Sequence, residues 1–374
     1  MGIELKEVRS RADLRTWVRF PNKLYGDTAA FVPFLEQDEI ETFSRDKNPA
    51  YAFCETKLFL AYRDGKVVGR IAGLINHAYN QKWGKNAIRF TRFDFIDDYE
   101  VSAALFRAVT DWGRERGHTE IMGPIGFTDI DHEGMLVEGF DRLNMSITFY
   151  NHPYYLTHME KLGLQKDIDW IEYKIHLGDR INPRLEKLHE RVARNPEYRV
   201  VTYTDRKLLY KEAFEAFALI DLAYSGLYGT VPLTPEVIKG AIDSYIPLVN
   251  MKYICAVKDS RDKIVAFGIM VPSIAKALKK SHGRLFPLGV FRLLHALQGK
   301  NDTMEMFLVA VDPQLQAQGI PVLIIDTLFK TLVANGVKYC ETGPMLETNT
   351  KIHSLWRYFD KEQHKRRRCY LGQI

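Results

Sequence analysis

The sequence predicts a mixed α/β (α+β) protein built from two tandem halves of one design, each a central mixed β-sheet flanked by helices. Two β-hairpin patterns, at 58–73 and 253–268, lie roughly 195 residues apart. In each half, helical patterns precede the hairpin, and strand, helix and strand patterns follow it. This alternation favours a mixed sheet with helices on both faces.

Further landmarks recur around the two hairpins. A Leu-Tyr-Gly triplet stands upstream at 24–26 and 227–229, and a Gly-Pro pair stands downstream at 123–124 and 343–344. Three landmarks in one order, offset by roughly 195 to 220 residues, favour a duplication over two unrelated segments. Turn-forming residues at 177–183 predict a domain boundary there, with domains at 1–178 and 179–374.

The elements follow from turn chemistry and from the residue patterns between turns. An Arg-Asp-Gly turn at 63–65 separates two runs rich in β-branched residues, and the second hairpin has a turn about two residues longer. In the second half the sequence also predicts helices near 206–223, 235–245, 321–335 and 351–360, and strands at 304–311 and 337–342.

Composition bounds the class of protein. Of the 374 residues, 46% are hydrophobic, enough for a large packed core. The 52 basic and 47 acidic residues give a formal net charge of +5, too weak a bias to imply nucleic acid or an anionic membrane. No secretory signal and no apolar stretch long enough to cross a bilayer are present, so we expect a cytoplasmic protein. Four scattered cysteines predict reduced, mostly buried thiols and no metal cluster.

The most informative segment is 305–328, where a hydrophobic strand ends at Val311, a polar loop follows and an apolar helix begins near Pro321. Proline is tolerated at the first helical position because its missing N–H has no partner there in any helix. The loop backbone would present consecutive N–H groups at a helix N-terminus, an arrangement suited to a pyrophosphate. Glycine at 319 lets the backbone approach a phosphate closely.

These residues resemble the GNAT acyltransferase superfamily, whose signature at this junction is Arg/Gln-x-x-Gly-x-Gly/Ala. Gln316 and Gly319 match the first two positions, and Pro321 departs at the third. The resemblance covers roughly 253–359 and extends more loosely to the first half. It implies two GNAT-like domains, 1–178 without the cofactor motif and 179–374 binding acetyl-CoA or another acyl-CoA as co-substrate.

The resemblance further implies a set of cofactor-binding residues and a reaction. The pantetheine arm would bind along the backbone of 308–311 as an added strand would. The implied reaction is N-acyl transfer, acetyl transfer above all, to a small-molecule or peptide amine. The residues so implied are Leu308, Val309, Ala310, Val311, Gln316, Ala317, Gln318, Gly319, Ile320, Pro321 and Asn349.

Acyl transfer to an amine needs a base for the amine proton and an acid for the departing thiolate. Candidate bases are Glu305, Glu341 and His353, with solvated edge charges or a surface helix residue as the alternative interpretation. The superfamily's usual acid is a tyrosine seven residues after the asparagine. That position holds Trp356 here, and Tyr358 is the nearest phenol.

The first half differs at the equivalent junction. Four carboxylates, at 94, 97, 98 and 100, stand where the second half has its polar loop. They would repel a pyrophosphate, and Asp97 or Asp98 would occupy the helix N-terminus as a cap. We therefore expect the first half to keep the fold without the cofactor, and we prefer capping to a metal site.

Two polar loops are candidates for the acceptor site, either as functional groups or as satisfied turn networks. Their residues are Tyr224 and Tyr228 in the second half, and Asp129, Glu133 and Asn151 in the first. The acidic groups would attract a cationic amine. The basic run at 361–368 is interpreted as a solvated face, with a phosphate or nucleic-acid role as the weaker alternative.

Two other functions stay open. The first is a tRNA-dependent aminoacyl transferase of the duplicated GNAT-like type, with the basic run touching tRNA. It is weakened because no inserted coiled-coil hairpin is evident, and nucleic acid is disfavoured as a partner. The second is a non-catalytic acyl-CoA-binding protein, in keeping with Trp356 at the tyrosine position.

Overall fold

The computed structural model describes residues 2–178, 180, 182–246 and 249–374. Its helices are α1 (Arg11–Leu24), α2 (Glu36–Thr42), α3 (His77–Trp83), α4 (Tyr99–Glu115), α5 (Tyr155–Lys161), α6 (Pro183–Ala193), α7 (Arg206–Tyr224), α8 (Pro235–Tyr245), α9 (Ala275–Ser281), α10 (Gly289–Gln298), α11 (Ile320–Ala334) and α12 (Thr350–Leu355). Its strands are β1 (Glu4–Glu7), β2 (Cys54–Arg63), β3 (Lys66–Asn76), β4 (Ala87–Phe95), β5 (Glu120–Gly123), β6 (Met135–Glu138), β7 (Gln165–His176), β8 (Arg199–Thr202), β9 (Ile254–Lys258), β10 (Ile264–Pro272), β11 (Thr303–Val311), β12 (Tyr339–Glu341), β13 (Met345–Leu346) and β14 (Asp360–Gln373).

The chain divides into two compact units. The first contains the chain up to Ile171 together with Ala275–Val290 and Lys365–Ile374. The second contains Glu172–Ile274 and Phe291–His364. Each unit therefore includes sequence from both predicted halves, and the boundary near residue 178 stays a prediction about the two repeats.

In the first unit the strands lie in the order β1-β2-β3-β4-β5-β14, with β6 paired to β14. The β4–β5 pair is parallel, and the other pairs of this series are antiparallel. Helix α4 packs Val101, Leu105 and Val109 into the core on one face of the sheet. On the other face Trp17 of α1 packs against Phe43.

The second unit repeats this arrangement, with strands in the order β7-β12-β11-β10-β9-β8. Here the β11–β12 pair is parallel. One face is covered by α11, whose Ile320, Ile324 and Leu328 are fully buried. The opposite face is covered by α7 and α8, which contribute Ile220 and Ile242 to a separate core cluster.

The duplication predicted from the landmarks is visible in the order of elements. In each half, a strand and two helices precede a hairpin, and a strand, a helix and a short strand follow it. The turn of the first hairpin places Asp64 and Gly65 at φ angles of 51° and 72°, as a two-residue hairpin turn requires. One connection differs in length: α3 joins β3 to β4, whereas α9 and α10 join β10 to β11.

The four predicted helices of the second half are confirmed, but the last is shorter than expected. Helix α12 ends at Leu355, a 3₁₀ turn continues to Tyr358, and β14 begins at Asp360. The four cysteines are free and buried, as predicted. Among the described residues, no helix is both long and apolar enough to cross a membrane.

The interpretation of the basic run at 361–368 as a solvated face is wrong. The run lies within β14, where His364, Lys365 and Arg367 are buried. The Arg367 guanidinium donates to Asn144 Oδ1 (2.7 Å), Thr148 Oγ1 (2.9 Å) and Phe149 O. A cation so surrounded is stabilised by hydrogen bonds within the core, which removes it from any surface role.

Candidate functional site

Two parallel strands separate in the middle of the second unit. Strand β12 pairs with β11 only from Thr303 to Glu305, and β12 ends at Glu341. Strand β11 continues to Val311 with its other edge still paired to β10. Beyond Glu305 the described ladder between β11 and β12 ends, and two carbonyls of this stretch accept from side chains, Val309 O from Tyr224 and Val311 O from Gln316 Nε2 (3.4 Å).

A β-bulge lies next to this separation. Ile269 pairs with Leu308 and Met270 with Met306, so Phe307 is an extra residue on β11. A bulge leaves one residue outside the regular ladder and reverses the alternation of side chains. Glu305 before the bulge and Leu308 after it consequently project to the same face, the one covered by α7 and α8.

Two carboxylates end the paired part of the strands. Glu305 lies opposite Glu341 in the parallel register, so both side chains project from the same face of the sheet. Glu305 is only 2% exposed, and its Oε1 accepts a hydrogen bond from Ser273 Oγ (2.6 Å). Glu341 is partly exposed, and its Oε2 lies 3.9 Å from Nε2 of the buried His364. Burial, together with these two carboxylates, raises the pKa of the neighbouring Cys340 thiol.

Aromatic side chains from α7 and α8 reach the same stretch of β11. The hydroxyl of Tyr224, at the end of α7, donates to Val309 O (2.9 Å). The ring of Tyr245, at the end of α8, lies 5.3 Å from the ring of Phe307 at the bulge. Tyr224, predicted as an acceptor-site residue, is thus brought to Val309, predicted as a cofactor-binding residue.

The loop after β11 leads directly into the N-terminus of α11. Gly319 has φ 86°, in the left-handed region, and stands at the N-cap position of α11 with Pro321 in the first turn. Among the described residues, no side chain caps this helix. Ala317 and Gln318 are exposed and Gln316 and Gly319 half-buried, so the loop is accessible. An accessible helix N-terminus without a capping side chain fits an anionic group.

Within this loop the backbone donors are not all available. Gln318 N–H already donates to Leu315 O (3.0 Å), and Val322 N–H donates to Gly319 O (2.9 Å). Lys351 Nζ, from α12, donates to Gln316 Oε1 (3.2 Å) and places a cation beside the loop. The structure therefore adds a positive charge where the sequence predicted backbone N–H groups alone.

The corresponding helix of the first unit is capped, as predicted. Asp98 is the N-cap of α4 and accepts a hydrogen bond from Glu100 N (2.9 Å). Arg63 pairs with both of these carboxylates. Glu100 N–H is therefore occupied by the capping carboxylate, and Val101 N and Ser102 N donate to Asp98 O. That the first half binds no cofactor stays a prediction, and the cap supports it.

The first unit also has a bulge in the strand that matches β11. Two residues of β4, Arg92 and Phe93, lie opposite the single Ile71 of β3, and Arg92 has φ 47°. The fully buried Arg92 guanidinium donates to Glu39 Oε1 (2.9 Å) and Asp131 Oδ1 (2.8 Å). Burial opposes ionisation of Asp131, but the contact with Arg92 outweighs it and lowers the pKa of this carboxyl. Here the irregular backbone holds an internal ion cluster.

Other predicted residues of the second unit have structural partners. Asn349 caps α12 by accepting from Ile352 N (3.3 Å), and His353 Nε2 contacts Leu346 O (2.9 Å). Trp356 is buried against Phe329 and Phe359. Tyr358, the predicted acid, accepts a hydrogen bond at its hydroxyl from Arg357 Nη2 (2.7 Å). Of the two tyrosines considered, Tyr224 is therefore the one placed against β11.

The remaining predicted acceptor residues divide between the units. Tyr228 belongs to the second unit and is half-buried, whereas Asp129, Glu133 and Asn151 belong to the first. Asn151 bonds both backbone groups of Leu136, accepting from N (2.7 Å) and donating to O (3.0 Å), which is a structural role. Burial and the nearby Asp129 raise the pKa of Glu133. An acceptor pocket shared by the two halves stays a prediction.

Sequence reasoning missed four residues of the site. They are Ser273, Tyr245, Lys351 and His364. Ser273 directly follows the strand of the second hairpin, and Tyr245 ends a predicted helix, so both stood beside recognised elements. His364 was hidden within the basic run, whose strand character was not recognised.

The chain is similar to two curated proteins along most of its length. It is 29% identical to Protein YghO of Escherichia coli, over 98% of this chain and 94% of that protein. It is 26% identical to the bacterial ceramide synthase of Caulobacter vibrioides, over 78% of this chain and 76% of that protein. No protein-family model matches the chain.

Solved structures show the same architecture at low sequence identity. A tandem GNAT protein from the clavulanic acid biosynthesis pathway superposes with a TM-score of 0.56 at 11% identity, covering 100% of this chain and 98% of that one. A GCN5-related N-acetyltransferase from Sphaerobacter thermophilus gives a TM-score of 0.53 at 10% identity, covering 99% and 95%. The chain, with its two halves of one design and its separated central strands, therefore has the tandem GNAT fold.

Proposed function

We propose that this protein is a coenzyme A-dependent N-acyltransferase whose reaction takes place in the second unit. The observation that carries the proposal is the separation of β11 from β12 immediately after Glu305 and Glu341. It places two carboxylates beside an open strand edge, and the accessible N-terminus of α11 follows the same strand. A ligand with an extended amide-bearing arm and a diphosphate matches both features.

Acyl-CoA, when bound, supplies the acyl group as a thioester. Gly319 and the backbone around it would hold the diphosphate, and Lys351 would add a direct charge contact. The edge of β11 beyond the bulge would hold the pantetheine arm by backbone hydrogen bonds. These assignments agree with the cofactor residues predicted from the sequence, and they add Lys351.

The chain's own groups supply the proton transfers. Glu305, hydrogen-bonded by Ser273, is placed to take the proton from an attacking amine, with Glu341 as the neighbouring alternative. The departing thiolate needs a proton, and as its donor we favour Tyr224 over Tyr358 because the Tyr224 hydroxyl contacts β11. The backbone around Phe307 would orient the carbonyl, since a bulge frees ladder groups at this point.

The acyl group and acceptor are the finer part of the proposal. The superfamily resemblance favours an acetyl group and a small amine or peptide. The similarity to a ceramide synthase favours a long acyl chain and a long-chain amino alcohol, because a ceramide is the amide of these two. The relative extends over most of the chain, so we propose the long-chain amine first and acetyl transfer second.

The test is a matrix of donors and acceptors. Purified protein is incubated with acetyl-CoA or palmitoyl-CoA and with sphinganine, spermidine or a lysine peptide, and both released coenzyme A and the amide product are measured. We expect an amide product with sphinganine and palmitoyl-CoA. Thermal stabilisation by coenzyme A without product from any pair would instead assign a non-catalytic binding protein. Neither stabilisation nor product would overturn the proposal.

A further inference from the structure

Helix α7 of the second unit has two apolar sides. Leu209, Ala213 and Phe217 are buried and hold the helix against the sheet. On the opposite side, Phe214 is 41% exposed and Leu222 is 50% exposed. A helix in a surface layer needs an apolar inner side and ordinarily has a polar outer side. The apolar outer side of α7 is therefore additional to what the fold requires.

The exposed residues of α7 include one continuous stripe along the helix. Its members are Lys207, Lys211, Phe214, Ala218 and Leu222, which follow one another at intervals of three or four residues. Residues at this spacing lie on the same side of a helix. Between Lys211 and the end of α7 every exposed residue is apolar. We call these five residues the α7 stripe.

The acidic residues of α7 have partners elsewhere in the second unit. Glu212, Glu215 and Asp221 are half-buried. Their partners, in that order, are Lys258 Nζ (2.7 Å), Ile264 N (2.9 Å) and Leu233 N (3.1 Å). These carboxylates are directed at the fold, so the α7 stripe itself bears no acid.

The charge of the α7 stripe is positive and lies at its N-terminal end. Within the part of the chain that the structure describes, neither Lys207 nor Lys211 has an ion pair with a carboxylate. Asp205 is the N-cap of α7 and accepts from Lys207 N (2.8 Å). Arg206, the next residue, adds a further cation at this end and donates to Ile246 O.

The exposed acids of the neighbouring helix α8 do not neutralise the two lysines. Asp243 pairs with Lys239 and accepts from the Tyr210 hydroxyl (2.7 Å). Glu236 lies in the first turn of α8, close to Leu233, which contacts Asp221. Asp221 is near the C-terminal end of α7, so Glu236 lies away from the lysine end of the stripe.

We infer that the α7 stripe docks the protein on the surface of a bilayer that contains anionic lipid. An interfacial helix lies in the plane of the membrane, with aromatic and aliphatic side chains at the boundary between headgroups and acyl chains and lysines at anionic headgroups. A second copy of the chain fits less well, because two such stripes facing each other would oppose lysines without an acid. The inference does not depend on the proposed reaction, since it concerns binding without acyl-CoA and amine.

The test is co-sedimentation of the full-length protein with vesicles of phosphatidylcholine, either alone or with about a third phosphatidylglycerol. We expect tighter binding to the anionic set, weakening as salt is added. Phe214→Ser combined with Leu222→Ser should lower partitioning to both sets at least about tenfold, because two inserting side chains are lost. Lys207→Gln combined with Lys211→Gln should lower binding to the anionic set alone, by about tenfold.

The matched control is Lys187→Gln combined with Arg191→Gln on α6, where two exposed cations have the same spacing as Lys207 and Lys211. Helix α6 packs with α11 on the other face of the sheet, so this variant should bind like the unaltered protein. Thermal unfolding checks that every variant remains folded.

Four results would overturn the inference. The first two are no vesicle binding by the unaltered protein and equal binding to the two vesicle sets. The third is full binding by either double variant of the α7 stripe, or an equal loss in the α6 control. The fourth is a concentration-dependent dimer that the Phe214→Ser and Leu222→Ser variant abolishes without any vesicle binding, because the partner would then be a second copy of the chain.

Discussion

Glu305 is buried, whereas a solvated charge at a sheet edge would be exposed. It is buried and accepts a hydrogen bond from Ser273, so the alternative interpretation of this residue as a surface carboxylate is wrong. A buried carboxylate carries a desolvation penalty of several kcal/mol unless other groups stabilise it. Glu305 is the last residue of β11 that pairs with β12. A buried carboxylate in such a place is a candidate for proton transfer.

Replacing Glu305 with glutamine should lower kcat at least about a hundredfold while changing KM little, since the shape is kept and the base removed. Steady-state kinetics with the best donor and acceptor pair would measure this. Glu341→Gln serves as the comparison, because the two carboxylates lie side by side. A large loss in Glu341→Gln with none in Glu305→Gln would move the base to Glu341.

For a single residue, the sequence predicts which chemistry the side chain can perform but not which other residue it contacts. The sequence predicts Glu305 as a candidate because it lies on the strand before the polar loop, and Glu341 because it ends the next strand. Ser273 lies thirty-two positions before Glu305, and the bond between them depends on the pairing of β10 with β11. Tyr358 was selected by its distance from Asn349 along the chain. Its helix ends at Leu355, so that count no longer fixes the direction of the side chain.

Among the elements, the start of α11 gives the sharpest test. Gly319 at φ 86° and Gly336 at φ 71° stand at opposite ends of this helix, both in the left-handed region. Alanine at either position should lower the free energy of unfolding by about 1–2 kcal/mol through backbone strain. At Gly319 the added Cβ would also lie 2.8 Å from Val192 Cγ2, whereas at Gly336 no atom lies within 4 Å.

Only Gly319→Ala should weaken coenzyme A binding, because Gly336 lies at the far end of the helix. Isothermal titration would give the affinities, and urea unfolding the stabilities. Equal coenzyme A affinity in both variants would remove the diphosphate assignment from this loop.

Helices and hairpins were predictable from local signals, whereas β14 was not. Its sequence from 361 to 368 is dominated by charge, which ordinarily marks exposed surface. Arg367 is buried only because Asn144, Thr148 and Phe149, more than two hundred residues away, accept its hydrogen bonds. No window of local sequence contains that information.

For the whole molecule, the repeat was visible in the sequence but the membership of the sheets was not. Strand β5 of the first unit pairs with β14, from the end of the chain. Strand β12 of the second unit pairs with β7, from before residue 178. A hydrophobic pattern identifies a strand without naming its neighbour, so this crossing of the repeats required the structure.

Separating the chain at 178 should therefore leave both pieces incomplete. Fragment 1–178 lacks β14 and fragment 179–374 lacks β7, so neither alone should unfold cooperatively at the temperature of the intact protein. Circular dichroism during heating would measure this, and mixing the fragments should restore part of the signal. A fragment 1–178 as stable as the intact chain would contradict the prediction.

The bulge present in both units has a consequence for how the two repeats could diverge. In β4 it surrounds Arg92, whose charge is neutralised by Glu39 and Asp131 within the protein. In β11 the extra residue of the bulge is Phe307, which follows the last residue of β11 paired with β12 by two positions. The same backbone irregularity thus accommodates an internal ion cluster in one repeat and an aromatic side chain beside the end of the β11–β12 pairing in the other, so the two repeats can differ in chemistry while keeping one strand geometry.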